Sequence, residues 1–402
     1  MLSDFSRPHE AAIGDESTVM QSRLHYVIRQ KKAAEGFKTG VSLHSHTMHS
    51  KESTSFVERT TQRSRLFNYF IQSQLRKYSA KYGDQRLTDL AYQCKRMWWT
   101  SPLSASQAYN LEGGQIRDKL GLEPIVSLTD HDLIEAPLQL QMFADNSLAP
   151  ISVEWTTPYE KTYFHLGIHN LHPSWASEMM ERFQAFTAAP DTKVMRELFE
   201  ELHAHPDVLI VFNHPYWDQP LVGDKLHDVV LRRFLSEFGQ YMHALEINGL
   251  RTWKENRKVV RLAKETGMKL ISGGDRHGRE PNATLNLTNA STFAEFVEEI
   301  RGNAPSEVCI MPQFHDPLAL RILQGLFDML DDYPEHARGQ VRWAQRVFRH
   351  CDGGNIKSFD DFFEGRDPKV MRLLINTTRF LTSERLKPAW QQVAGEPSEA
   401  AL

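Results

Sequence analysis

Several short stretches of this sequence bring together side chains that bind metals or move protons. They are His44-Ser45-His46, Thr129-Asp130-His131-Asp132, Glu154, His165 with His169, Asn213-His214-Pro215, and Asp275-Arg276-His277. Imidazole and carboxylate in this mixture suit zinc, manganese or iron. The chain holds 18 histidines but three cysteines, and Cys94, Cys309 and Cys351 lie far apart. A thiolate zinc site or a disulfide framework is therefore not expected, and a reducing cytoplasm is the default setting. At this histidine content chance alone supplies about one His-x-His pair, so a single pair carries little weight. A second pair, His203-Ala204-His205, precedes Pro206 and reads as a helix end. What carries weight is repetition, since one strand signal after another runs into His, Asp, Glu or Asn.

Those strand signals are Val41–Leu43, Ile125–Leu128, Ile151–Val153, Tyr163–Ile168, Val208–Phe212, Ala244–Ile247, Lys269–Ser272 and Glu307–Met311. Between the later ones lie helical patterns at 194–204 and 255–267, the second closed by Gly267. Strands alternating with helices predict βα units and a parallel sheet or barrel. In a parallel barrel the strand C-termini share one rim, so residues 230 positions apart can meet there. Alternation along a strand also points residues 44 and 46 the same way.

Three regions depart from this rhythm. Residues 1–38 read as a polar arm and a short basic helix. Residues 53–120 read as a helical insertion, with Phe67, Phe70, Ile71, Leu75 and Tyr78 at helical spacing and an excess of basic side chains. Residues 316–402 read as a helical appendage that includes VRWAQRVFRH and VMRLLINTTRFL. The central domain then spans 39–315. With 47 basic against 51 acidic residues the formal charge is −4, which argues against a general nucleic-acid coat. No apolar run approaches the roughly 20 residues that span a bilayer, and the acidic N-terminal stretch does not read as a secretory leader.

The ordered series LHSHT, SLTDHD, VEW, FHLGI, NHP and GGDRH, over about residues 40–312, resembles the PHP family, named for polymerase and histidinol phosphatase. The resemblance implies an α/β fold, a distorted TIM-like (β/α)7 barrel. It also implies two or three divalent ions (manganese, zinc or iron) used for phosphoester hydrolysis. Carried over position by position, the ligands are His44, His46, His131, Glu154, His165, His214, Asp275 and His277. Family members usually add an acid or histidine soon after the first pair. Here Lys51 stands five beyond His46, and Glu52 follows it; either Glu52 takes the role in a shifted register or the third metal site is absent. Glu154 is the natural bridge between ions, because a carboxylate has two oxygens and imidazole one coordinating nitrogen. With Asp130, His131 and Asp275 it makes up the expected catalytic set. Asp130 either orients a ligand histidine or moves a proton, or else caps the helix that follows.

Lys51, Arg276 and Arg279 are the cations expected to hold phosphate, with Tyr216, Trp217 and Asn248 as further substrate contacts. The basic insertion reads either as a lid that attracts an anionic substrate or as a wall with a solvated face. The leading expectation is a phosphoesterase acting on a small phosphorylated metabolite or nucleotide. The alternatives are an exonuclease-like phosphodiesterase on nucleic-acid ends, an amidohydrolase-type barrel, and a degenerate metal-binding barrel serving as an interaction module. No membrane contact is expected, and the C-terminal helices are the expected surface for a homo-oligomer.

Overall fold

The computed structural model describes residues 21–27, 34–54, 93–143, 148–383 and 385–393, with scattered positions between 68 and 89. In chain order the elements begin with β1 (Ser22–Tyr26), β2 (Thr39–Leu43), β3 (Glu52–Ser53), β4 (Met97–Trp99) and α1 (Ala105–Gln115). There follow β5 (Glu123–Ser127), α2 (Glu135–Gln141), β6 (Ile151–Tyr159), β7 (Thr162–Leu171), α3 (Ala176–Ala188), α4 (Thr192–Ala204) and β8 (Leu209–Asn213). Next come α5 (Asp224–Phe238), β9 (Ala244–Asn248), α6 (Trp253–Thr266), β10 (Lys269–Gly273), β11 (Thr284–Thr288), α7 (Phe293–Arg301) and β12 (Ser306–Ile310). The last are α8 (Leu318–Leu330), β13 (Val347–His350), β14 (Ile356–Ser358), α9 (Phe359–Phe362), α10 (Lys369–Leu381) and α11 (Lys387–Val393).

Ten strands form two five-stranded sheets, ordered β1-β12-β11-β2-β5 and β10-β9-β8-β7-β6. The pairs β1/β12, β2/β5, β8/β9 and β9/β10 are parallel. Strand β11 runs antiparallel to both neighbours, and so does β7. The sheets touch near the strand C-termini, where Ser45 bridges to Arg276 and His131 to Glu154. At the other end Ser22 Oγ accepts from Leu270 N at 2.7 Å. The fold is thus mixed α/β, and no single closed ladder joins the sheets among the described residues.

Helix signals were legible where capping and period agreed. Asp191 accepts from the amides of Lys193 and Val194 to open α4, which buries Met195, Leu198, Phe199 and Leu202 at i, i+3, i+4 and i+7. Thr252 caps α6, and Gly267 ends it at φ +71°, a left-handed position suited to glycine. With α3 and α5 these helices cover the outer face of the second sheet, packing on Ile210, Phe212, Leu245 and Ile247. Helix α7 instead plugs the space between the sheets, where Phe293, Phe296, Val297 and Ile300 meet Val41, Leu43, Leu209, Val211, Ala244 and Ile271.

Four expectations are corrected. The basic stretch expected to be helical begins as a strand, because Ser22–Tyr26 finds a parallel partner in Ser306–Ile310 and pairing outweighs local propensity. Glu154 does not end its strand; β6 continues to Tyr159 and turns back antiparallel into β7. The segment VRWAQRVFRH makes a short 3-10 turn and then strand β13, paired with β4. The last helix of the supposed insertion, α1, packs with β5 in the core through Ala105 and Ala108 against Val126 and Leu128. The apolar spacing from Phe67 to Tyr78, and much of the basic excess that suggested a lid, lie outside the described residues. No described helix is long and apolar enough to cross a membrane.

Candidate metal centre

Period-two alternation explains how these strands build a polar site on an apolar core. Val211, Ala244 and Ile271 face the space between the sheets. Two residues further along each strand, the same face carries Asn213, Glu246 and Gly273. The rim itself uses unusual backbone: His44, His214 and Asp275 have φ of +64°, +26° and +55°. Non-glycine residues in this region cost roughly 1–3 kcal/mol each, and such strain clusters where side chains must be aimed.

Glu154 is the hub. Its Oε2 lies 3.0 Å from His44 Nε2, 3.1 Å from His131 Nδ1 and 3.4 Å from His46 Nε2. Its Oε1 lies 3.0 Å from His214 Nε2 and 3.3 Å from His165 Nδ1, and it accepts from Asn213 Nδ2 at 3.1 Å. A second focus forms around Glu52, whose Oε2 is 2.7 Å from His277 Nδ1 and 3.6 Å from His131 Nε2. Asp275 Oδ1 closes the gap between the two, 2.8 Å from His277 Nε2, 3.6 Å from His44 Nε2 and 3.7 Å from His46 Nε2. The structure therefore brings His44, His46, Glu52, His131, Glu154, His165, His214, Asp275 and His277 into one cluster. His169 stays out, its Nδ1 2.8 Å from Ser127 Oγ.

The cluster is suited to cations. Buried His44 Nε2, His46 Nε2, Glu52 Oε1, Glu154 Oε2, His165 Nδ1 and His277 Nδ1 all lack a hydrogen-bond partner. Several sit at close range to one another without hydrogen-bond geometry, as lone pairs do when they face a common point. Buried polar atoms are normally paired, and these six all lie beside a carboxylate or imidazole of the cluster. Four triads have ligand atoms mutually within 4.8 Å: His44/Glu154/His214, His44/His46/Asp275, His46/His131/Glu154 and His46/Glu52/His277. Four carboxylates, Glu52, Glu154, Glu246 and Asp275, are buried in or directly behind the histidines, and Arg251 reaches Asp275.

Proton affinities are strongly perturbed throughout. Burial alone would raise Glu154, but the nearby histidines His44, His131 and His165 hold it well below the usual carboxylate range. Asp275, also raised by burial, is held well below that range by Arg251 and His277. Burial lowers His46 to about 3 despite the nearby Glu52. His131 and His277 go the other way: burial opposes the charge, yet the carboxylates raise them to about 10 and about 9. Such opposed shifts mark a site built for charged partners.

Sequence reading overlooked the residues behind the cluster. Glu246 Oε1 lies 2.5 Å from His44 Nδ1, and its Oε2 accepts from His214 N at 2.7 Å and Asn248 Nδ2 at 2.8 Å. Glu246 thus holds His44 by Nδ1 and leaves Nε2 directed at Glu154. Burial opposes charge on the His44 imidazole, yet the two carboxylates together raise it well above its ordinary value. Arg251 donates to Asp275 Oδ2 at 2.7 Å and stacks over Trp217 at 3.7 Å. Glu112, on α1, accepts from Ser42 Oγ, Arg276 Nε and Asn282 N. The signal for Glu246 was available, since it shares the inward face with Ala244 in a strand that reads as apolar.

The remaining expected site residues take varied positions. Asp130 accepts from Thr47 N and Thr47 Oγ1 at 2.5 and 2.7 Å, which ties the loop after His46 instead of capping a helix. Burial pushes its carboxyl up to about 7. Asn248 donates to Glu246 and Asp275, and its Oδ1 accepts from Leu250 N. The Arg276 guanidinium is buried and engaged by Glu112, Gly278 O and His46 O, so it braces the wall. Arg279 is bound by Asp328 and Asp331. Lys51 is exposed, with Nζ 5.4 Å above the Trp98 ring. Trp217 lines a recess with Tyr163, His165, Asn213, His214 and Gln219, whereas Tyr216 faces a separate cleft with Asp218 and Lys258.

No family model and no curated protein matches the chain. Among solved structures it is similar to an amidohydrolase from Chromobacterium violaceum with bound sulfate, at 14% identity and a TM-score of 0.30, over 45% of this chain and 84% of that one. It is also similar to a Bifidobacterium adolescentis protein described as a metal-dependent phosphoesterase, at 16% identity and a TM-score of 0.34, over 50% and 93%. A third is a two-domain protein from Bacteroides vulgatus containing a predicted PHP-like metal-dependent phosphoesterase, at 16% identity and a TM-score of 0.36, over 53% and 63%. PHP-like phosphoesterases and an amidohydrolase are thus among its structural neighbours.

Proposed function

We propose that this protein is a metal-dependent hydrolase that cleaves phosphoester bonds of a small phosphorylated metabolite or nucleotide. In this reading the two five-stranded sheets are the halves of a distorted TIM-like barrel of the PHP kind, and the nine clustered residues hold two or three divalent ions. The observation that carries it is the four interlocking groups of histidine and carboxylate whose ligand atoms lie within 4.8 Å of one another. When bound, such ions supply Lewis acidity, making water acidic near neutrality and offsetting charge on phosphoryl oxygens. Glu154, with both oxygens among imidazoles, would be a central carboxylate in holding them. Arg251 stands beside the cluster with its Nε unpartnered, where a phosphate would meet a guanidinium. Asp130, near neutrality in its proton affinity, is suited to hold or release a proton next to His131. Free Cys94, Cys309 and Cys351 accord with a cytoplasmic setting, and exposed Leu373 and Phe380 on α10 with self-association there.

Purified protein supplied with manganese is expected to release phosphate from an aryl phosphate. His44→Ala and Asp275→Ala should each abolish that release, since each removes a side chain of the metal cluster. Undiminished turnover after the metals are stripped would sink the mechanism. A monoester and dinucleotide panel measured across salt concentrations separates the two substrate classes, because binding to a polymer falls steeply with salt.

A further inference from the structure

The Glu52–His277 end of the cluster rests on a part of the chain that lies beyond the two main sheets. Glu52 sits on β3, opposite Trp99 of β4. Strand β4 in turn pairs with β13, Val347 opposite Trp99 and Phe348 opposite Trp98. The ladder is tied by Thr100 N to Arg346 O at 3.0 Å and His350 N to Arg96 O at 2.8 Å. Phe348 stacks on Trp98 with centroids 4.2 Å apart. Trp99 is buried in a cluster with Leu326, Leu330, Trp343 and Val347. Glu52 thus occupies the last strand of a small sheet anchored by the C-terminal region.

A second arm reaches His277. Asp328 of α8 accepts from Arg279 N at 3.0 Å and Arg279 Nε at 2.9 Å, and Asp331 accepts from Arg279 NH2 at 3.1 Å. Asp328 also lies against the residue that follows His277: a Cβ on Gly278 would fall 1.9 Å from its Oδ2. The fully buried Arg346 donates to the backbone carbonyls of Asp328 and Asp331, so both arms share one anchor. The triad of His46, Glu52 and His277 draws two of its three members from segments held in this way. The triad of His44, Glu154 and His214 draws its members from the main sheets and the rim turns that follow them.

We propose that residues 318–358 are a working part of the metal centre: through Asp328 and Phe348 they position His277 and Glu52 and so set the affinity of the ion held there. The proposal rests on the metal-binding reading above. Two arms with a common buried anchor support the Glu52–His277 end, and the His44, Glu154 and His214 end rests on the main sheets. Supporting groups behind metal ligands typically alter affinity 10–100-fold.

The test is manganese titration of the full chain, stripped of metal beforehand and followed calorimetrically. Glu52→Gln and His214→Ala serve as markers, one for each end of the cluster. Asp328→Asn and Phe348→Ala, which strike different arms, should each weaken by about tenfold or more the class of site that Glu52→Gln weakens. Neither should move the class that His214→Ala weakens. If Glu52→Gln changes no class, the metal reading of Glu52 fails. If Glu52→Gln acts but either arm variant leaves its class unchanged, or weakens both classes equally, the positioning role is overturned.

Discussion

Glu246 shows how much a single carboxylate behind the cluster governs. It holds His44 by Nδ1, which aims Nε2 at Glu154, and also holds the backbone of His214. Gly273 makes room for it, since a Cβ there would lie 1.7 Å from Glu246 Oε1. Glu246→Gln keeps the size but replaces one acceptor oxygen with a donor that opposes His44 Nδ1–H. Manganese affinity should fall by about 10–100-fold, measured by equilibrium dialysis, while the melting temperature without metal changes little. The nine clustered residues were legible because histidine and acid motifs stand out from strand sequence. Glu246, Glu112 and Arg251 were not, because a lone charged residue inside an apolar strand, on a helix or in the turn between them looks like any other. Only the inward phase shared with Ala244 reveals Glu246, and that phase follows from knowing which face is the core.

Strands and helices carry a different pH sensitivity, at the end remote from the cluster. There the His243 ring on the approach to β9 accepts from Ile210 N through Nδ1 at 2.9 Å, and its Nε2 lies 3.2 Å from His203 Nδ1. Burial, reinforced by Arg301 and His203, lowers it to about 3. In the unfolded chain it takes up a proton near 6.5, so between pH 6.5 and 3 the unfolded state binds more protons. Stability from this group is complete above 6.5 and declines as the pH falls through that window, by up to about 1.4 kcal/mol per pH unit. His243→Asn keeps an acceptor for Ile210 N but cannot titrate. Its denaturant-unfolding free energy should therefore fall less steeply with acid than that of the unaltered protein. At this scale the helices α4 and α6 could be read directly, since caps and apolar period agreed. Strands β1 and β13 could not, because their partners lie at Ser306–Ile310 and Met97–Trp99, and no local pattern announces a partner so distant.

For the molecule as a whole, the cluster concentrates buried charge, with Glu52, Glu154, Glu246 and Asp275 in or directly behind one group of histidines. An ion that binds only the folded chain adds stability as RT ln(1 + [L]/Kd), about 2.7 kcal/mol at a hundredfold excess over Kd. Manganese should raise the melting temperature in proportion to the logarithm of its concentration, and chelation should reverse the rise. Scanning calorimetry at several concentrations checks this, and a melting point indifferent to manganese would contradict it.

One pairing bears on how the molecule is made. Strand β1 lies parallel to β12, Ser22 opposite Ser306, with Ser22 Oγ and Ser306 Oγ 2.7 Å apart. A ribosome adding about 5–20 residues per second takes roughly 15–60 s to pass from one to the other. Throughout that interval the nascent first strand has no mate, so its docking is one of the last acts of assembly.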